Sequence, residues 1–148
     1  MRIVFTRGSG KFDVMEVHRP GGLKERVDCP KQRIIPHDMV HYAVESTLQK
    51  CGFLGRVKNG ETAGFQMEPE AESDSVERLV EVFQGDEWSG GQSTASDLLE
   101  MYAVTCSARG CPALDVDEES VTAIRRTISD LTHRWESTPV GGSLELSL

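Results

Sequence analysis

Two histidines stand four residues apart in the run Pro36-His37-Asp38-Met39-Val40-His41-Tyr42-Ala43-Val44-Glu45. On a helix this spacing puts both rings on one face, about one turn apart, as zinc proteases arrange the ligands of their metal. Their motif has Glu after the first histidine, where this chain has Asp38. Asp38 could serve as general base if a metal-bound water lay within reach. The positive end of the helix dipole disfavours an imidazolium in the first turn. The neutral ring that remains is the form that binds zinc or another divalent transition metal. Glu45 is eight residues from His37, about 12 Å along a straight helix, so it cannot share one ion with both histidines. It is left as a binding residue beside the site, and the third ligand must come from a segment the spacing does not name. A plainer reading competes. His37 and Asp38 would bond the open amides of the first turn, and His41 would pack at the edge of the core.

Other constellations point less far. Cys106 and Cys111 are separated by four residues without a second pair, so a buried small hydrophobe describes Cys106 better than a zinc ligand. Gly8-Ser9-Gly10 has no helix after it and no Gly-Lys-Ser/Thr, so it reads as a hairpin turn rather than a phosphate loop. Ser93, Ser96 and Ser143 lack a nucleophile elbow. Trp88, expected in a glycine-rich loop, could anchor a partner or fold back over the core.

The elements that must position these residues follow from hydrophobic period. Ile3, Phe5, Phe12, Val14, Met15 and Val17 suggest two strands, and residues 23–29 a third, joined by turns at Gly8–Gly10 and Pro20-Gly21-Gly22. Residues 36–51 should be a helix with Pro36 in its first position, His37 inside the apolar stripe, His41 at its margin and Gly52 ending it. Residues 53–67 fit a short helix ending at Asn59-Gly60 or half of a hairpin, with the helix favoured. Asp74 and Glu77 resemble a capping box before a helix that Gly85 stops. Two more helices are expected, over 95–108 and across Val121–Trp135. Leu144, Leu146 and Leu148 alternate as a last strand. The expected fold is α+β: an antiparallel sheet of the N-terminal meander plus the C-terminal strand, with about four helices on one face, as a single domain over 1–148.

Pro36-His37-Asp38-x-x-His41-x-x-x-Glu45, followed by Gly52-Phe53-Leu54-Gly55, resembles the helix signature of a family of small uncharacterised bacterial proteins. The ending Arg134-Trp135 and Pro139-Val140-Gly141-Gly142-Ser143-Leu144-Glu145-Leu146 is similar to that family's C-terminal segment. The resemblance implies a bacterial source and a shared fold, and adds no mechanism. Where the family has a longer run of small residues after Gly55, this chain has Arg56-Val57-Lys58-Asn59-Gly60.

The formal charge of −8 is uneven: residues 68–120 hold two Lys/Arg against fourteen Asp/Glu, and residues 1–35 hold eight against four. Such an acidic chain is repelled by phosphate backbones, so nucleic acid is not an expected partner. No apolar run reaches the roughly 20 residues of a membrane span, and no membrane partner is expected. Met1–Arg7 reads as a strand rather than a signal peptide. With four irregularly spaced cysteines, this suggests a cytoplasmic protein with reduced thiols. Two functions stay open. One is a module that binds an unknown protein or small molecule. The other is a metal-dependent, hydrolase-like enzyme built on His37, Asp38 and His41.

Overall fold

A computed structural model describes residues 1–64 and 67–148. Alternating burial builds β1 (Arg2–Thr6), β2 (Phe12–His18) and β3 (Lys24–Pro30), and β4 (Ser143–Ser147) pairs with β1 across the length of the chain. The sheet is fully antiparallel in the order β3-β2-β1-β4, as the patterning implied. Ile3, Phe5, Met15, Val17, Cys29, Leu144 and Leu146 turn toward one face and share a core with the helices. On β2 the inward set is Asp13, Met15 and Val17, so Phe12 and Val14 fall on the other face, against the alternation expected for them. Asp13 is tolerated inside because it accepts the Gly8 amide at 2.9 Å and lies 3.8 Å from the Lys31 ammonium.

Among the described residues five helices complete the fold: α1 (His37–Leu48), α2 (Phe53–Lys58), α3 (Ala71–Trp88), α4 (Ala95–Arg109) and α5 (Glu118–Glu136). Three boundaries differ from the expectation. Pro36 is the N-cap of α1 rather than its first helical residue, and α1 ends at Gln49 in the left-handed region (φ 54°), before Gly52. Gly52 instead opens α2, which forms as a helix rather than as half a hairpin. The remainder of the 53–67 segment includes residues 65 and 66, which lie outside the described residues. The third difference is α3. It starts three residues before Asp74, so the capping box does not form, and it runs through Gly85 to Trp88. A mid-helix glycine costs only about 1 kcal/mol. Burial of Val82, Phe83 and Asp86 on the same helix carries α3 past it.

The last helix follows its pattern closely. Val121, Ile124, Ile128, Leu131 and Trp135 are its buried stripe, and the Asp117 side chain caps its start by accepting the Ser120 amide at 2.7 Å. Arg7, just beyond β1, donates to the carbonyls of Trp135 (2.9 Å) and Thr138 (2.8 Å), fixing the end of α5 to the sheet. α1 packs against both α5 and α3, and the candidate site lies at its seam with α3.

Candidate metal centre

α1 presents His37 and His41 from successive turns, with ring centroids 4.8 Å apart and nearly perpendicular. Their order of burial is the reverse of the helical-wheel expectation. His41 is 2% exposed and the His37 side chain 38%. The reason is α3, which covers the His41 turn of α1 and brings Glu77 to both rings. Glu77 accepts from His41 Nε2 at 2.8 Å through one oxygen and lies 3.3 Å from His37 Nε2 through the other. The ligand atoms of His37, His41 and Glu77 all lie within 4.8 Å of one another. Glu77 is thus the third member that the spacing on α1 could not supply. It was visible in the sequence only as part of an apparent helix cap.

The far side of each ring is held as well. His37 Nδ1 donates to Gln84 Oε1 at 2.6 Å, seven residues beyond Glu77 on the same face of α3. His41 Nδ1 donates to Glu45 Oε2 at 3.0 Å. Both Nδ1 atoms are therefore occupied by acceptors, and both Nε2 atoms converge on Glu77. Metal-binding histidines are oriented in this way, by a partner on the nitrogen that does not face the ion. For bonds near 2 Å a tetrahedral ion needs ligand atoms about 3.3 Å apart, which the two contacts to Glu77 approach before any adjustment.

Glu45 completes neither a metal set nor a surface. It is buried, and its oxygens accept the amides of Gly52 (2.8 Å), Leu54 (3.1 Å) and Gly55 (2.7 Å), at the start of α2. Its role as a binding residue is thus internal: it ties α2 to His41. The two glycines make this possible. A Cβ on Gly52 would lie 2.8 Å from the Glu45 carboxylate, and one on Gly55 would lie 3.2 Å from its Oε1.

The electrostatics of His41 run against the dipole argument. Burial alone would lower its pKa, but the hydrogen bonds to Glu45 and Glu77 outweigh burial and hold it up to about 10. For Glu77 burial pushes upward, and the bonds from His37 and His41 pull it well below the carboxylate range. His37 is likewise raised: burial lowers it, and Glu77 and Gln84 more than offset both burial and the repulsion of His41. Two carboxylate contacts within 3 Å simply exceed the partial charge of a helix end.

Asp38 is not among the converging ligand atoms. Its carboxylate accepts the Cys29 thiol at 3.6 Å, and burial holds its pKa above the ordinary value. It does line the same cavity of about 520 Å³ as His37, His41 and Glu77, together with Cys29, Pro30 and Phe53. Neither Asp38 nor His37 caps the first turn of α1, so the plainer reading of these two residues is not what the fold uses. Trp88 lies elsewhere. It is the last residue of α3 rather than part of a loop, it is 54% exposed rather than folded over the core, and its Nε1 donates to the Gln32 carbonyl at 2.8 Å. Cys106 is buried, as expected, and all four cysteines are free thiols. No helix among the described residues is long and apolar enough to cross a membrane. No family model, curated protein or solved structure matches this chain.

Proposed function

We propose that the chain binds one divalent transition-metal ion through His37 Nε2, His41 Nε2 and the Glu77 carboxylate, and uses it for hydrolysis. The observation that carries this reading is the convergence of the three ligand atoms within 4.8 Å while Gln84 and Glu45 hold the opposite ring nitrogens. Two histidines with one carboxylate leave coordination positions for water or substrate, as in catalytic zinc and non-haem iron sites. Those positions would face the cavity, which is also lined by Asp38 and by Asp28, the latter on the exposed face of β3. Asp38 is therefore the candidate base for an attacking water.

A second reading has one specific support. His41 is hydrogen bonded by a carboxylate at each nitrogen, which is enough to make it a structural cation between α1, α2 and α3. The protein would then be a binding module without chemistry. Titration of tag-free protein with Co(II) separates the two. The metal reading expects one equivalent to give the visible absorption of a low-symmetry nitrogen and oxygen site, lost in Glu77→Gln and His37→Ala. Absence of saturable binding near one equivalent would leave the structural cation.

A further inference from the structure

β3 is an edge strand among the described residues, and its outer edge borders the cavity of the candidate centre. The pairing register identifies which backbone groups that edge exposes. Arg19 N bonds Leu23 O and Lys31 N bonds Lys11 O, at the two ends of the β2–β3 ladder. In an antiparallel pair, hydrogen-bonded positions alternate with non-bonded ones. With Val17 opposite Glu25, Met15 opposite Val27 and Asp13 opposite Cys29, those residues of β3 bond inward to β2. Arg26 and Asp28 therefore turn both their N–H and C=O groups outward, and Pro30 turns a C=O. Arg26, Asp28 and Pro30 all line the cavity with His37, His41 and Glu77. No described strand pairs with this edge. Ala63 comes close but donates its amide to the Glu25 side chain, not to the strand's backbone.

The chemistry complementary to such an edge is another extended backbone. We infer that the substrate is an extended peptide segment that adds to the outer edge of β3, which brings one of its carbonyls to the metal centre. The inference rests on the metal reading above. Two guest residues, two apart, would each exchange a pair of hydrogen bonds with Arg26 and Asp28, about 6.8 Å apart along the strand. Cys29 and Val27 alternate with these residues toward the core side. With Phe53 and Ala63 they give the cavity an apolar wall for one guest side chain. The side chains of Arg26 and Asp28 lie on the opposite face and carry opposite charges, so recognition comes from backbone rather than from guest charge. Hydrolysis would form a bond from water oxygen to the carbonyl carbon and break the C–N bond. One water proton goes to the leaving amine, and the other is released as the new acid ionises.

The test uses tag-free protein loaded with one equivalent of zinc and a pool of fluorescein-labelled decapeptides of mixed sequence. A matched pool carries N-methyl groups at every position, which removes the guest N–H donors on both edges without changing the side chains. Binding is read by anisotropy and cleavage by mass spectrometry. Each lost hydrogen bond should weaken binding roughly fivefold, about 1 kcal/mol. Cleavage should require zinc and vanish in Glu77→Gln. Asp28→Pro removes one outward N–H and no bond to β2, so it should weaken peptide binding and leave zinc uptake intact. Equal binding of methylated and parent pools, or zinc uptake without peptide binding, overturns the peptide assignment alone. Failure to take up zinc overturns the metal centre and this assignment with it.

Discussion

Both nitrogens of His41 are hydrogen bonded to carboxylates, and the ring is all but inaccessible. Removing it leaves Glu45 and part of Glu77 without a counter-charge. His41→Ala should cost about 3 kcal/mol even in chelator-treated protein, as breaking a buried ion pair does. His37 is more exposed, and its Gln84 partner is neutral. His37→Ala should cost about 1 kcal/mol or less under the same conditions. Denaturant melts of the two variants check the order, and a larger loss for His37→Ala would contradict the geometry. At this scale the sequence offered half of the site. The four-residue spacing on one helix is a local property and could be read directly. Glu77 and Gln84 could not, because they meet the histidines through a helix pairing that spans 36 to 47 residues and leaves no local pattern. The relative burial of the two histidines departs from the helical wheel for the same reason: a wheel shows the apolar stripe but not which neighbour covers each turn.

Gly52-Phe53-Leu54-Gly55 gains a physical meaning at the scale of elements. The segment wraps three amides around the Glu45 carboxylate, and its glycines leave room for that approach. Gly52→Ala would drive a Cβ to within 2.5 Å of Val76 and 2.8 Å of Glu45. It should destabilise by about 1–3 kcal/mol, the usual cost of overpacking, and weaken zinc binding by tilting His41. Calorimetric titration and melting together would read both effects. A second pairing fixes α3 to α5: Arg125 donates to Asp86 Oδ2 at 2.7 Å, and the Ser93 amide donates to Oδ1 at 3.1 Å. Burial would raise the Asp86 pKa, but Arg125 and Ser93 outweigh it and hold it below the ordinary value. A depressed folded pKa contributes stability that is present above the unfolded value, near pH 4, and lost as the pH falls through the folded value. The difference in stability between wild type and Asp86→Asn should therefore be full at neutral pH and shrink below about pH 4. A pH-independent difference would show that the pair contributes through shape alone. Periodicity revealed which elements exist, because each buries one stripe. It missed where α3 starts and stops, because tertiary burial overrode a helix-breaking glycine.

The whole molecule is closed by its two ends: β4 pairs with β1, and Leu144 and Leu146 are buried in the shared core. Deleting residues 143–148 removes two buried leucines, worth roughly 1.5–3 kcal/mol each. It also exposes the β1 edge. Total stability is about 5–15 kcal/mol, so the shortened chain should lose most of its cooperative transition, as circular dichroism would record. Alternating leucines and the inward residues of the meander made this sheet legible in advance. The seam between α1 and α3 was not, since nothing local states which helices are neighbours. On the proposed function, folding assembles an ion site across that seam, so an ion should stabilise the folded state alone. The direct measurement is the melting temperature of chelator-treated wild type and Glu77→Gln, each with and without zinc at about 100 times its dissociation constant. Linkage gives roughly 2.7 kcal/mol at that concentration, or about 5–10 °C for a domain of this size. The expected result is a rise of that order in wild type and none in Glu77→Gln; equal curves with and without zinc in wild type would mean that the folded protein holds no zinc at this seam.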